Sequence, residues 1–254
     1  MSSLKLLLLS NSTSHGSQYL QSWRSGIDRF LSNVNSVLFV PFAAVTIDWK
    51  EYANKVSDAL VKYEVKNIAD CEDMTAAVNE AEAICIGGGN TFHLLLNLQK
   101  YNLLAAIKRR VQSGVPYIGW SAGSNVASLD IGSTNDMPIV WPSSDAAIGL
   151  VSYNINPHFT EYKPPKYCGE DRGKRLDECC FVKQRPIVAL SEGTGILVDG
   201  EHKLQRHTII AGENVDSVQC KLWLPDANCE QRQKIVDVAI GTDIYPIISD
   251  CRKL

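Results

Sequence analysis

The stretch VPYIGWSAGSNVA, residues 115–127, carries the clearest structural signal in the chain. It opens with apolar residues typical of a buried strand, and from Asn125 it has a pattern that begins a helix. The turn between them, residues 119–123, fits Gly-x-Ser-x-Gly, in which glycines permit close backbone contact and the central serine projects from the end of the strand. The stretch therefore predicts an α/β sheet that presents Ser121 as a nucleophile; the alternative is that Ser121 only caps the helix.

Strand patterns and helix patterns alternate on both sides of this turn. Apolar runs typical of buried strands occur at residues 4–10, 37–42, 64–68, 83–86 and 115–119. Helical patterns cover residues 18–31, 48–63, 74–81 and 93–112, the last with a break expected near Tyr101. Continuous apolar strands separated by amphipathic helices indicate a parallel sheet with helices on both faces.

The spacing changes beyond residue 147, where strand patterns dominate. They occur at residues 148–154, 186–189, 195–198, 208–211 and 217–223, with one helix at 173–182. We therefore predict an α/β fold, a three-layer α/β/α sandwich whose mostly parallel central sheet gains antiparallel strands in the C-terminal third. The absence of a linker or a repeat predicts a single domain, 1–254, in which the segment 225–254 has no recognisable role.

The composition limits the class of partner. A net charge of -3 offers no basic surface for nucleic acid, and no apolar run approaches the length of about 18 residues that a membrane helix needs. The N-terminus lacks a signal peptide, and the eight cysteines include no Cys-x-x-Cys pair, so we expect free thiols and no metal site. We predict a cytoplasmic protein, monomer or homodimer, that acts on small molecules without nucleic acid or membrane partners.

A glycine loop provides the second element of an acyl-transfer site. Such chemistry needs backbone N–H groups aimed at the developing oxyanion, and the amide of Ala122 next to the nucleophile is one candidate. The loop at residues 87–91, after the strand at 83–86, exposes further amides at Gly88 and Gly89. A flexible loop or a phosphate-binding turn is the alternative, but the dinucleotide spacing and a Walker lysine are both missing, so we expect no cofactor.

The general base is sought among five histidines. His158 stands at the end of a predicted strand, on the sheet edge that carries the serine, and is the preferred base. His15 in the first loop and His93 just past the glycine loop remain alternatives. His202 and His207 lie in a polar hairpin.

The acid that orients the base has two candidates. Glu192 follows the strand predicted at 186–189 and lies beside glycines, again at a strand end. Asp136 lies in a loop after the turn that carries the serine. Because triads are recognised by geometry and not by chain order, the sequence leaves both carboxylates open.

These motifs together resemble the peptidase E (aspartyl dipeptidase) family. The matching pieces run in order over roughly residues 1–225: GGGNT at 87–91, GWSAGSN at 119–125, TNDMP at 134–138, NPHF at 156–159, GEDR at 169–172 with Arg175, and SEGT at 191–194. The resemblance implies an α/β/α fold related to class I glutamine amidotransferases. The activity that it implies is cleavage of dipeptides with an N-terminal aspartate.

The resemblance also implies roles for individual residues. Ser121 is implied as nucleophile, His158 as base and Glu192 as orienting acid, with Asp136 as second choice. Amidotransferases use a cysteine and a His-x-Glu pair, whereas here a serine is present and Glu161 lies three residues after the histidine, which argues against amidotransfer.

Substrate selectivity has a physical basis in one arginine. A preference for aspartate needs a cation for the β-carboxylate, and arginine offers a planar bidentate fork. Arg172 matches the family position, although it could be a solvated residue of a charged helix. We also count Asn90 among the candidate substrate-binding residues, and we expect residues 160–169 to form a mobile flap.

The predicted function is thus a serine exopeptidase that forms an acyl-enzyme and hydrolyses dipeptides with an N-terminal aspartate. One alternative is another serine hydrolase on the same scaffold, such as an esterase or a cyanophycinase-like peptidase that cleaves β-aspartyl bonds. The other is a catalytically silent binding protein with an amidotransferase-like fold.

Overall fold

The computed structural model describes residues 3–200, 204–215, 219–229 and 231–251, so His202 and part of the strand predicted at 217–223 lie outside the described residues. The strands are β1 (Leu6–Leu9), β2 (Ser36–Val40), β3 (Glu64–Asn67), β4 (Ile84–Ile86), β5 (Tyr117–Trp120), β6 (Asn154–Phe159), β7 (Ile187–Ser191), β8 (Thr194–Asp199), β9 (Arg206–Ala211), β10 (Cys220–Pro225) and β11 (Gln233–Val238). The α-helices are α1 (Arg24–Phe30), α2 (Trp49–Ala59), α3 (Met74–Glu80), α4 (Thr91–Lys100), α5 (Leu103–Gln112), α6 (Ala122–Val126), α7 (Arg172–Lys183) and α8 (Tyr245–Cys251).

The strands form two sheets. The larger has the order β3-β2-β4-β5-β1-β8-β9, in which the first five strands are parallel and β8 and β9 are antiparallel. The smaller has the order β11-β10-β7-β6, with β6 and β7 parallel and the other pairs antiparallel. The predicted α/β class with a mostly parallel sheet is confirmed.

Side chains along the buried strands point alternately to the two faces of the sheet, and this explains why helices or strands cover both faces. Leu7 and Leu9 of β1 pack with α1 and α2, while Leu6 and Leu8 face the opposite way and pack with α3, α4, α5 and the smaller sheet. Helix α7 covers the outer face of the smaller sheet, where Leu176 packs with strand residues. All four leucines of β1 are buried, as expected for a strand at the centre of a covered sheet.

Several predicted segments differ from the structure. The segment predicted as strand 148–154 is a buried loop, because its amides bond to the end of α6: the Ile148 amide donates to the Val126 carbonyl and the Leu150 amide donates to the Ala127 carbonyl, each at 2.9 Å. The helix predicted at 18–31 is divided into a 3-10 turn, Gln21–Trp23, and α1.

The C-terminal strands also differ in where they pair. Only β8 and β9 extend the central sheet, whereas β6, β7, β10 and β11 build the second one. The segment 225–254, whose pattern could not be assigned, supplies β11 and α8. None of the helices in the described ranges is long and apolar enough to cross a membrane.

The parallel strands bring five loops to one region. The loops after β1, β4 and β5 leave the carboxyl edge of the larger sheet, and those after β6 and β7 leave the corresponding edge of the smaller one. Such an edge is where open α/β sheets bind ligands.

Candidate active site

Ser121 occupies a strained turn between β5 and α6. Its φ of 52° and ψ of -114° are unusual for a residue with a side chain, a conformation that surrounding bonds must enforce. Its amide donates to the Leu9 carbonyl at 3.1 Å, and the Ser124 hydroxyl donates to the carbonyls of Leu9 at 2.7 Å and Gly119 at 2.9 Å. Helix α6 begins at Ala122, directly after the serine, and not at Asn125 as predicted.

His158 joins this serine to a carboxylate. Its Nε2 lies 2.9 Å from the Ser121 Oγ, and its Nδ1 lies 2.9 Å from the Glu192 Oε1. Because a carboxylate only accepts, Nδ1 carries the proton and Nε2 is left to accept from the serine hydroxyl. The side chains of His158 and Glu192 are 39% and 59% exposed, so water reaches both.

The backbone of His158 is fixed by contacts with two sheets. The residue has a φ of 54° and lies where the β6–β7 register shifts. Its amide donates to the Ser10 Oγ at 2.8 Å, and the Ser10 hydroxyl donates to the Leu190 carbonyl of β7 at 2.9 Å. Ser10 follows β1, so one hydroxyl connects the larger sheet to β6, which contains His158, and to β7, which directly precedes Glu192.

Asp136, the second candidate for the orienting acid, is engaged elsewhere. Its Oδ2 accepts from the Thr91 amide at 2.7 Å and from the Thr134 hydroxyl at 3.2 Å, at the beginning of α4. Among the described hydrogen bonds none joins it to His158. The geometry therefore pairs the histidine with Glu192, while Asp136 lines a cavity beside it.

The three other histidines of the described region are placed differently. His15 is exposed in a turn after β1, and its ring has no described hydrogen bond to Ser121. The His93 Nδ1 lies 2.8 Å from the Phe42 carbonyl oxygen, and His207 is buried with its Nδ1 2.8 Å from the Tyr153 hydroxyl. Burial lowers the pKa of His207 to about 4. Neither ring has a described contact with Ser121.

The glycine loop lies against the serine. A Cβ built on Gly88 would lie 3.0 Å from the Ser121 Cβ, so the loop and the turn are in direct contact. The Gly88 carbonyl accepts from the Tyr52 hydroxyl at 3.1 Å. Because the peptide is planar and trans, the Gly89 amide points away from that bond. Within the described ranges the amides of Gly88, Gly89 and Ala122 have no hydrogen-bond partner, and they remain candidates for binding an oxyanion.

Two cavities meet at the serine and the histidine. The larger, of about 770 Å³, is open and is lined by the glycine loop and by Asn90. The polar atoms of Asn90 are already occupied, because its Oδ1 accepts from the His93 amide at 3.0 Å and its Nδ2 donates to the Met137 carbonyl at 2.9 Å. Its side chain supports the loop, and this leaves little capacity for binding a ligand.

The smaller cavity, of about 330 Å³, contains Arg172. This arginine begins α7, whose N-cap is Asp171, and its Nη1 donates to the His158 carbonyl at 2.6 Å. Burial lowers the pKa of Arg172, the neighbouring Arg175 lowers it further, and Asp136 acts in the opposite direction. Residues 160–169, where a flap was predicted, are exposed and form no regular element.

Comparison with known proteins assigns the chain to a family. Residues 6–206 match the model of peptidase family S51, and this range contains every candidate site residue named above. The chain belongs to peptidase family S51. Membership makes it a serine-type dipeptidase, a hydrolase that acts on small peptides, and confirms the predicted family and enzyme class.

Relatives of the S51 chain extend over most of its length. It is 44% identical over 203 residues to "Peptidase E" of Nostoc sp., covering 78% of this chain and 83% of the relative. It is 39% identical over 245 residues to "Peptidase E" of Shewanella oneidensis, covering 95% and 98%. It is 40% identical over 243 residues to "Probable alpha-aspartyl dipeptidase" of Drosophila melanogaster, covering 93% and 97%.

Solved structures share the fold of the S51 chain. A candidate peptidase E protein from Listeria monocytogenes superposes with a TM-score of 0.63 at 23% identity, covering 83% of this chain and 99% of that one. A peptidase from an acI-B1 actinobacterium gives a TM-score of 0.60 at 19% identity, covering 96% and 97%. At these identities the likeness concerns the fold alone.

One residue of the S51 site was not predicted from the sequence. Asn125 is 1% exposed, lines the smaller cavity, and has no hydrogen-bond partner in the described region for either its Nδ2 or its Oδ1. Two signals could have indicated it: its position four residues after the serine, one helical turn along α6, and its place as the last residue of the GWSAGSN motif at 119–125. A periodicity argument assigns such a residue to helix packing, so the polar amide was passed over.

The close packing of Gly123, just after the Ser121 turn, leads to a prediction about stability. A Cβ built on Gly123 would lie 2.1 Å from the Ile86 carbonyl oxygen, which belongs to the neighbouring strand and cannot move freely. We therefore expect Gly123→Ala to lower the free energy of unfolding by about 3 kcal/mol, at the upper end of overpacking effects. Urea denaturation measures it, with Gly26→Ala, where a Cβ meets nothing within 4 Å, as the control. An unchanged midpoint for Gly123→Ala would refute the close contact.

Proposed function

We propose that the chain hydrolyses dipeptides with an N-terminal aspartate, with Ser121 as nucleophile, His158 as base and Glu192 as orienting acid. The supporting observation is the continuous chain of hydrogen bonds from the serine through the histidine to the glutamate, 2.9 Å at each step. A hydroxyl is a weak nucleophile at neutral pH, and an adjacent imidazole in the correct tautomer activates it.

The proposed reaction has two steps. His158 takes the Ser121 proton while Oγ attacks the scissile carbonyl carbon, and the oxyanion is bound by the amides of Ala122, Gly88 and Gly89. The C–N bond then breaks as His158 gives the proton to the leaving amine, which departs as a free amino acid. Water, deprotonated by His158, attacks the resulting ester, and aspartate leaves as Ser121 recovers its proton.

The two cavities suggest how the substrate divides. The smaller one, with Arg172, suits the aspartyl residue, because a guanidinium can bind the β-carboxylate through two parallel N–H groups. The open cavity of about 770 Å³ on the other side of the serine suits the residue that follows aspartate. The relative from Drosophila melanogaster that is named for alpha-aspartyl dipeptidase activity supports the same substrate class.

A panel of dipeptides tests the proposed specificity. Rates with Asp-Leu, Glu-Leu, Asn-Leu and the β-linked isomer of Asp-Leu are compared at equal concentration. We expect Asp-Leu to be hydrolysed fastest, with Asn-Leu at least about 10-fold slower because it lacks the charge. A preference for the β-linked isomer would instead place the chain with β-aspartyl peptidases, and equal rates would refute the role of a cationic subsite.

Arg172→Ala should act on substrate binding. Loss of a charge-assisted contact with the β-carboxylate is expected to raise KM for Asp-Leu by about 10- to 100-fold. Steady-state kinetics measure this, with Lys174→Ala as the control because it removes the same charge from an exposed position two residues along α7. An unchanged KM in Arg172→Ala would remove the arginine from the subsite.

A further inference from the structure

The smaller cavity contains one cation and one anion. Arg172 and Asp136 both line it, together with the Ser121 and His158 side chains. The described ion pairs do not include Arg172 with Asp136, although the carboxylate is near enough to raise the pKa of the arginine. The two opposite charges therefore face the same small space without neutralising each other directly.

The Asp136 carboxylate is held but not saturated. Its Oδ2 accepts from the Thr91 amide and the Thr134 hydroxyl, and these bonds fix the orientation of the group. In the described part of the chain no hydrogen bond engages its Oδ1. A carboxylate offers about four acceptor sites, so this one retains capacity for a ligand donor.

Asn125 independently indicates a polar ligand in the same cavity. Its side chain is 99% buried, and both amide atoms lack a partner among the described residues. Buried amides are nearly always hydrogen-bonded, because leaving them unpaired is costly. An amide that lines the same cavity as a cation and an anion can donate to one charged group of a ligand and accept from another.

We propose that Asp136 and the Asn125 Oδ1 bind the α-ammonium of the substrate, with the Asn125 Nδ2 donating to its β-carboxylate. This inference rests on the proposed function and extends it. Arg172 accounts for binding of the β-carboxylate, but it does not account for binding of the free amino end of the substrate. An N-terminal aspartyl residue has an ammonium and a carboxylate separated by two carbons, a pair of charges that matches the pair in the cavity. The same contact makes the enzyme require an unblocked N-terminus.

A substrate that lacks only the ammonium tests the proposal. Succinyl-Leu is Asp-Leu with hydrogen in place of the α-ammonium. We expect the wild type to show a kcat/KM for Asp-Leu about 10- to 100-fold higher than for succinyl-Leu. Asp136→Asn, which keeps an oxygen for the Thr91 amide, should lower kcat/KM for Asp-Leu by a similar factor. Its kcat/KM for succinyl-Leu should stay within about threefold of the wild-type value.

The control is Asp145→Asn, which removes the same charge from an exposed carboxylate paired with Lys183. This variant should have the wild-type kcat/KM for both substrates. If Asp136→Asn lowered kcat/KM equally for both substrates, Asp136 would only support α4, and the proposal would be overturned. A wild type that does not distinguish the two substrates would overturn it as well.

Binding separates this inference from the proposed function. Ser121→Ala protein is titrated calorimetrically with L-aspartate and with succinate, and aspartate should bind about 10-fold or more tightly. Adding Asp136→Asn should abolish the difference. Aspartate binding without hydrolysis of any dipeptide would refute the proposed function alone, whereas equal binding of the two acids would refute the ammonium site alone.

Asn125→Leu distinguishes a binding role from a structural one. Leucine branches at Cγ as asparagine does but is larger, and the adjoining cavity offers room for the added volume. Because it replaces a buried amide that has no described partner, stability should be unchanged or higher. We expect kcat/KM for Asp-Leu to fall by about 10-fold or more while the urea midpoint does not fall. Full activity in this variant would overturn the assignment of Asn125, and loss of stability with loss of activity on both substrates would show a packing role.

Discussion

Ser121→Ala is expected to lower kcat for Asp-Leu by about 10⁴- to 10⁶-fold, the effect of removing a nucleophile from a triad. The Ser121 Oγ lies 2.9 Å from the His158 Nε2, and no other hydroxyl among the described residues has a described contact with that nitrogen. Water held by the histidine can replace it only poorly. Quenched time-course assays at high enzyme concentration measure the residual rate of hydrolysis.

The matched control is Ser57→Ala, on the exposed side of α2. It should retain wild-type kinetics. A fluorophosphonate probe adds an independent measurement, since mass spectrometry should find its label on Ser121 in the wild type and no label in Ser121→Ala. Wild-type turnover by the alanine variant would show that the serine is not the nucleophile.

Glu192→Gln is expected to lower kcat by about 10² to 10³-fold, less than the roughly 10⁴-fold typical of a buried triad carboxylate. In the proposed mechanism the glutamate accepts the His158 Nδ1 proton in a hydrogen bond and stabilises the imidazolium that forms during attack. Its side chain is 59% exposed, so water screens the charge and can replace part of the interaction. Steady-state kinetics over a range of Asp-Leu concentrations separate kcat from KM.

Asp136→Asn provides the contrasting result. We expect its effect to fall mainly on KM, because Asp136 has no described bond to His158 and lines the cavity instead. The two variants thus differ in which kinetic constant they change. A larger fall of kcat in Asp136→Asn than in Glu192→Gln would assign the orienting role to the aspartate.

Local patterns predicted the central part of the fold well. The helix pattern at 93–112 breaks after Lys100, as expected near Tyr101, because Asn102 adopts a left-handed conformation between α4 and α5. The strand and turn that carry Ser121 were predicted for similar reasons, since periodicity and glycine spacing are properties of short segments. The apolar residues of β1 likewise required burial on both faces.

Long-range pairing could not be read from the same patterns. The segment around Ile148 has the apolar residues typical of a buried strand, but its amides donate to carbonyls at the end of α6 and not to a neighbouring strand. The second sheet depends on which strand edges meet, and no single segment specifies that. The choice between Glu192 and Asp136 stayed open for the same reason, because it depends on the packing of β6 beside β7. Asn125 was missed because its lack of partners is a property of the whole site.

The hydroxyl of Ser10 gives the site a particular mechanical sensitivity. His158 lies in β6 of the smaller sheet, Ser121 directly follows β5 of the larger sheet, and Glu192 lies in the two-residue turn where the chain passes from β7 of the smaller sheet to β8 of the larger one. A displacement of the smaller sheet relative to the larger one would therefore lengthen the distance between the Ser121 Oγ and the His158 Nε2. Because the Ser10 hydroxyl bonds across this boundary, a substitution that weakens the packing between the two sheets is expected to lower catalysis in a protein that is still fully folded.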